Sequence, residues 1–305
     1  MINIQKVTHY YQQYKALDSI ECHLPHRKCI ALLGENGAGK STLMKLLVGN
    51  LQASSGKVII NNHLMYPESE ARRFIGYLPE SLSLYKNMTV KNYLQWLGRM
   101  HDLSRLLFRK RLDWVVEYCQ LEKLLPMNMH QLSKGMQQRV GLAQALLHEP
   151  AVLILDEVHS GLDHQQSLAI NQILKTLSEQ HLILVSTHRL HTIAQVADQA
   201  LVLDQGKLCA FDDLDTLMGR YHNQNVFEIT IKFTSGITKK FQSLCANDNV
   251  ICLNESISEQ SITYECQINK DISDFLRTMT TEFDLIEAKK KAYHLSDVFN
   301  KLTQN

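Results

Sequence analysis

Eight consecutive residues, Gly34-Glu35-Asn36-Gly37-Ala38-Gly39-Lys40-Ser41, carry the spacing G-x4-G-K-[ST], which suits the holding of a phosphate chain. Glycines let the backbone curl until successive N–H groups point at one anion. The residues that follow, Thr42-Leu43-Met44-Lys45-Leu46-Leu47, read as a helix, whose N-terminus adds partial positive charge. In this arrangement Lys40 neutralises phosphate charge and the Ser41 hydroxyl ligates Mg2+. A second set of reactive residues is Asp156-Glu157, adjacent carboxylates closing the apolar run Leu153-Ile154-Leu155. Buried acids need compensation, so a purely structural role for this pair is disfavoured.

These residues must be positioned by an α/β framework. Cys29–Leu33, Ala151–Leu155, His181–Ser186 and Ala200–Leu203 are short, nearly continuous apolar runs, as expected of central strands covered on both faces. From Thr89 to about His130 the pattern turns helical, with Tyr93, Leu94 and Leu97 on one face and Val115, Val116, Cys119 and Gln120 on a second helix. The polar stretch Gly219–Asn225 reads as a linker. Beyond it, Phe227, Ile229, Ile231 and Phe233 alternate with polar residues, as do Ile262, Tyr264, Cys266 and Ile268. Helical spacing then joins Ile272, Phe275, Leu276 and Met279, and again Leu295, Val298, Phe299 and Leu302. Two domains are expected: 1–218, with a helical subdomain at about 89–135, and a small α+β domain over 226–305.

Further motifs resemble the ABC ATPases, and the resemblance covers the first two-thirds of the chain. Leu132-Ser133-Lys134-Gly135-Met136-Gln137-Gln138-Arg139 resembles the LSGGQ signature followed by QQR, with Lys134 in place of a glycine and Met136 in place of the glutamine. Leu153–Glu157 looks like the Walker B strand. Ser160-Gly161-Leu162-Asp163 looks like the D-loop, preceded by Val158-His159 where the family usually has Pro-Thr. Ser186-Thr187-His188 resembles the switch histidine segment. Tyr11 stands where the family places an aromatic against adenine, with Tyr10 and Tyr14 as alternatives. Ile75-Gly76-Tyr77-Leu78-Pro79-Glu80 covers the Q-loop with glutamate for glutamine. Together with Leu84-Tyr85-Lys86-Asn87-Met88-Thr89-Val90 and the ending His294–Thr303, it is similar to the ABC-2-type export branch.

The resemblance implies a P-loop NTPase fold of ABC type: a central mixed sheet, an antiparallel β subdomain and a helical insert, with the small C-terminal α+β domain appended. It implies ATP held by Tyr11, Gly34, Glu35, Asn36, Gly37, Ala38, Gly39, Lys40, Ser41 and Thr42 of one subunit. Ser133 and Gly135 of an opposing subunit cap the nucleotide, in a homo- or heterodimer. Mg2+ is expected on Ser41, Asp156 and Glu80. Glu157, His188 and Lys40 are the expected catalytic groups, Glu157 as general base toward water. The implied partners are the transmembrane permease subunits of an ABC transporter, probing this chain through the Glu80 loop and the helical insert at the cytoplasmic face of the plasma membrane.

Composition agrees with a peripheral subunit. The net charge of +1 gives no strong pull toward nucleic acid or anionic lipid, so no nucleic acid partner is expected. Lys289-Lys290-Lys291 reads as a solvated turn. Seven scattered cysteines without a CxxC pair suit a reduced setting better than a disulfide framework or zinc site. His188 and His191 lack a third ligand, so no metal beyond Mg2+ is expected. No leader sequence and no apolar run of membrane-spanning length is expected. The competing readings are a soluble ABC ATPase without a permease and a nonhydrolytic regulatory module. The former is disfavoured by a single ATPase unit without long coiled coils, the latter by the retention of Lys40, Glu157 and His188.

Overall fold

A strand that is apolar at every position persists only where both faces are covered, and Cys29–Leu33 is buried throughout its length. The computed structural model describes residues 1–303 apart from 68, 69, 83, 84, 86, 223, 224, 235, 248, 249, 259, 269–271 and 292. Leu84 and Lys86 of the run read above therefore lie outside the described residues. The chain forms two units, Met1–Asp215 together with the residues from Leu295 onward, and Thr216–His294.

In the first unit a hairpin of β1 (Ile2–Tyr11) and β2 (Tyr14–Leu24) leads to β3 (Cys29–Leu33) and α1 (Lys40–Leu47). Strands β4 (Ser55–Ile60) and β5 (His63–Leu64) return to the hairpin and complete an antiparallel sheet ordered β2-β1-β4-β5. Next come β6 (Ile75–Leu78) and the helices α2 (Val90–Met100), α3 (Arg105–Tyr118) and α4 (Lys134–Leu146). They are followed by β7 (Val152–Asp156), α5 (His164–Ser178), β8 (Leu182–Ser186), the short α6 (Leu190–Ile193), β9 (Gln199–Asp204) and β10 (Lys207–Asp213). The second sheet is ordered β10-β9-β3-β8-β7-β6. It is mixed: β6, β7, β8, β3 and β9 run parallel, and β10 pairs antiparallel at the edge. One core joins Ile4, Leu17 and Ile20 of the hairpin, Leu43 and Leu47 of α1, and Ile30, Ile154 and Leu184 of the mixed sheet. Each such side chain contributes about 1.5–3 kcal/mol by leaving water, and together they fix α1 against both sheets.

The helical stretch begins where the sequence places it. The Thr89 hydroxyl caps α2 by accepting the Asn92 N–H, and Ser104 caps α3 by accepting that of Leu107. The second helix ends earlier than expected, at Tyr118, and Gln120 adopts a left-handed backbone (φ 54°). The insert is tied to the sheet by Arg111, which donates to the Leu146 and Leu147 carbonyls at the end of α4, pairs with Glu149, and lies over the Trp114 ring. Beside it, the His148 ring stacks on His101 with centroids 4.2 Å apart, and its Nε2 donates to the Ile75 carbonyl.

Helix α7 (Leu214–His222) begins at the end of the first unit, and the second unit continues with β11 (Val226–Lys232), α8 (Ile237–Asn247), β12 (Val250–Ile257), β13 (Ser261–Ile268), α9 (Ile272–Glu282) and β14 (Leu285–Lys290). The four strands form an antiparallel sheet ordered β12-β13-β11-β14, and its core includes Phe241 stacked on Tyr264 at 3.8 Å. Three expectations change here. Of Gly219–Asn225, read as linker, the residues through His222 continue α7, and Asn223 and Gln224 lie outside the described residues; Leu214 and Leu217 bury one side of the helix, while Gly219 has open space around it. Lys289 and Lys290 end a strand instead of forming a turn, with Lys289 paired to Glu228 across the ladder and Lys291 paired to Glu265. The last helix, α10 (Leu295–Thr303), belongs to the first unit and packs on α6, β9 and β10 through Leu295, Val298 and Phe299. The accessory unit therefore closes at His294, short of the expected 305.

Burial holds the pKa of His148 down at about 4, with the charges of His101 and Arg111 acting in the same direction. With Nε2 carrying the proton, Nδ1 is buried without a partner among the described residues, so a second proton there would have no acceptor among them. Because the folded pKa lies below the ordinary 6.5, the unfolded chain binds this proton first as pH falls. Stability contributed by neutral His148 is complete above pH 6.5 and is lost as pH falls toward about 4. Urea midpoints measured from pH 7 to 4.5 should drop for the wild type and drop less steeply for His148→Gln; equal slopes would contradict this assignment.

Candidate functional site

The loop between β3 and α1 is shaped by contacts that no larger residue tolerates. A Cβ at Gly34 would sit 2.7 Å from the Leu203 carbonyl oxygen. Gly39 has φ +102°, and its Cβ would meet the Ala16 carbonyl oxygen and Leu17 at 2.7 Å. Gly37 also takes a left-handed backbone, φ +88°, but in open space. Lys40 begins α1 and folds its ammonium back over the loop, donating to the carbonyls of Gly34 at 2.6 Å and Glu35 at 2.9 Å. Burial lowers its pKa, and the nearby Glu157 and Asp156 charges oppose that shift.

The carboxylates come from the end of β7, beside β8. The Ser186 hydroxyl donates to Asp156 Oδ1 at 2.5 Å and, with the Ser186 carbonyl, accepts the Glu157 N–H at 3.1 Å. Glu157 has φ 50°, a left-handed conformation costing a non-glycine residue roughly 1–3 kcal/mol. The turn aims its carboxylate at His188, whose Nδ1 lies 2.9 Å from Glu157 Oε2. Glu157 is nearly buried and His188 is exposed. Tyr77, in β6, has its pKa raised by burial and then by the charges of Asp156 and Glu80.

Most of the expected residues meet in a single cleft of about 350 Å³. Tyr11, Asn36, Gly37, Gly39, Lys40, Ser41, Thr42, Glu80, Asp156, Glu157 and His188 all line it. Gly34 and Glu35 act behind the lining through the carbonyls that hold Lys40. Ala38 is buried; its N–H goes to the Glu35 carbonyl and its carbonyl accepts from Gly206. Tyr14 joins Tyr11 at the cleft, whereas Tyr10 has Lys15 over its ring and does not line it.

Ser133 and Gly135 lie elsewhere. Ser133 caps α4, its hydroxyl accepting the Met136 N–H, and Gly135 leaves room for Gln166 of α5. With Met136, Arg139 and Gln166 they line a second, largely apolar cleft of about 610 Å³ that shares no residue with the first. A phosphate chain at Lys40 is thus left uncapped by its own chain's Ser133 helix.

Ser160, the first residue of the D-loop-like segment, also lines the main cleft. The ties that hold this segment escaped sequence reading. Arg189 donates to the Leu162 carbonyl at 2.8 Å and reaches Ser167. His159 is fully buried with Nε2 2.8 Å from Asn171 Oδ1, and Asn171 donates in turn to the Thr192 carbonyl. These bonds tie the Ser160–Asp163 segment to the residues just after His188, across separations that carry no local pattern.

The ABC transporter family profile matches residues 17–160. An uncharacterised ABC transporter ATP-binding protein of Bacillus subtilis (strain 168), YxlF, is 34% identical over 232 residues, spanning 76% of this chain and 77% of that protein. The Nod factor export ATP-binding protein I of Neorhizobium galegae is 30% identical over 304 residues, spanning 99% of this chain and 84% of that one. Among solved structures, an ATP-binding subunit of an ABC transporter matches with a TM-score of 0.66 and 29% identity, over 72% of this chain and 93% of that one.

The loop geometry separates its glycines. Gly37→Ala meets strain alone and should lower unfolding stability by about 1 kcal/mol. Gly39→Ala adds a clash with a fixed carbonyl and should cost about 3 kcal/mol or more. Urea denaturation of both variants checks the order; equal losses would contradict the close approach of Ala16.

Proposed function

Because the chain belongs to the ATP-binding subunits of ABC transporters, and is an ATPase, we propose that it powers an ABC-2-type exporter through separate transmembrane subunits. The observation that carries the export reading is the Nod factor export relative, whose match runs through 99% of this chain and so includes the second unit. Glu80, in the position the export branch favours, lies in the same cleft as Asp156. No helix among the described residues is long and apolar enough to cross a membrane, so attachment at the cytoplasmic face rests on partner subunits.

Ser41, Asp156 and Glu80 present only hard oxygen donors to the cleft, a set that fits Mg2+. When bound, Mg2+ neutralises charge on the phosphate oxygens. Lys40 exchanges its two carbonyl partners for phosphate oxygens, and a charge-assisted bond is roughly twice as strong as a neutral one. Glu157 accepts the proton of the attacking water, and the His188 ring holds the carboxylate in place while reaching toward the γ-phosphate. Ser133 and the Gly135 amide, remote from their own chain's cleft, cap the nucleotide of a second ATPase subunit. Closure of that dimer on ATP and its reopening after hydrolysis supply the motion passed to the permease.

Steady-state phosphate release tests the catalytic assignment. Glu157→Gln should lower turnover by about 100-fold or more while nucleotide still binds, and light scattering with ATP should show it accumulating as a dimer. Turnover within about threefold of wild type would remove Glu157 from the role of base and favour another residue. The transport assignment is tested by co-expression with a polytopic membrane protein encoded beside this chain. Co-purification from detergent-solubilised membranes is expected; recovery of the ATPase alone would favour a soluble ABC protein.

A further inference from the structure

The second unit gathers three thiols that are far apart in sequence. Cys245 lies in α8, Cys252 in the edge strand β12 and Cys266 in β13. None of the three is in a disulfide; Cys245 and Cys266 are buried, and Cys252 is exposed. Cys252 stands directly opposite Cys266 in the antiparallel register, and the neighbouring Cys245 and Cys252 thiols help to raise the Cys266 pKa. The other four cysteines are dispersed among Cys22, Cys29, Cys119 and Cys209 of the first unit. Among the described residues no group of three or more His, Cys, Asp or Glu side chains is arranged to hold a metal ion. The chemistry open to this cluster is that of the thiols with one another.

Directly opposed residues in an antiparallel pair have Cβ atoms about 4.5–5.5 Å apart, whereas a disulfide needs about 3.5–4.5 Å. The approach required is about 1 Å, and β12 is free to make it. It is an edge strand with one neighbour, and its register shifts between Cys252 and Asn254, where the Cys252 thiol also contacts the Asn254 carbonyl. We propose that Cys252 and Cys266 form an oxidisable dithiol, in which a peroxide attacks at Cys252 and Cys266 closes the cross-strand disulfide.

The steps balance with peroxide as the two-electron oxidant. The Cys252 sulfur attacks one peroxide oxygen, the O–O bond breaks, and Cys252 sulfenic acid forms with release of water or an alcohol. The Cys266 sulfur then attacks the Cys252 sulfur and expels the hydroxyl, which leaves as water with the Cys266 proton. Two thiols are oxidised by two electrons and one peroxide is reduced. Oxidation starts at Cys252 because the other two thiols are buried. Burial and neighbouring thiols raise the pKa of both reacting groups, so the thiolate is scarce near neutrality and the site is a slow one.

Hydrogen peroxide treatment of the full chain, followed by differential alkylation and peptide mass spectrometry, tests this. The expected result is loss of two free thiols and a linked Cys252–Cys266 peptide that a dithiol reductant reopens. Its rate should rise roughly tenfold per pH unit between pH 7 and 9. Cys252→Ser, an exposed edge substitution, should retain the Cys245 and Cys266 thiols, and Cys245→Ser should still form the link. Cys252 recovered as sulfinic acid with Cys266 free, or a Cys245–Cys266 link formed without Cys252, would overturn the assignment.

Discussion

Asp156 and Glu157 place two like charges side by side at the end of a buried strand, where they repel each other and have lost much of their water. The first unit is organised around compensating them. β8 lies next to β7, so one hydroxyl, that of Ser186, holds Asp156 and the Glu157 backbone together. The left-handed turn at Glu157 swings the second carboxylate away from the first and toward His188. Lys40 supplies the positive charge in the same cleft, and its current partners are neutral carbonyls. A triphosphate entering the cleft offers that ammonium a better partner than the two neutral carbonyls.

The same strand ends connect chemistry to motion. Arg189, one residue past His188, grips the Leu162 carbonyl, and the His159–Asn171–Thr192 chain adds a second tie. These bonds link the residues just after His188 to the Ser160–Asp163 segment. Val158 and His159, which replace the family's usual Pro-Thr, are both fully buried, so that departure has become part of the core. Met136 follows the same logic, lining an apolar cleft beside Ser133 and Gly135.

Sequence reading succeeded where function depends on a few contiguous residues. Gly34–Ser41, the apolar strands and the Thr89 helix start are local patterns, and each stands where the pattern predicts. It failed where long-range contacts decide. The sequence favours Tyr11 over Tyr10 and Tyr14, but only the hairpin register, which pairs Tyr11 with Tyr14, shows that both of these reach the cleft. Gly219–His222 looked like a breaker segment, but Leu214 and Leu217 hold the helix by burial. The amphipathic pattern of Leu295–Leu302 announced a helix without saying which unit would cover its apolar side. Likewise, positions 245, 252 and 266 carry no spacing signal, and only the β12–β13 register brings those thiols together.

The central claim is a composite site, with Lys40 and Glu157 from one subunit and Ser133 and Gly135 from another. It is tested most directly by mixing two inactive proteins, Lys40→Ala and Gly135→Asp. A mixed dimer holds one doubly impaired site and one intact site, so the equimolar mixture should regain about a quarter of wild-type ATP turnover if the sites act independently. A mixture as inactive as its two components, despite mixed dimers seen by light scattering, would contradict the account.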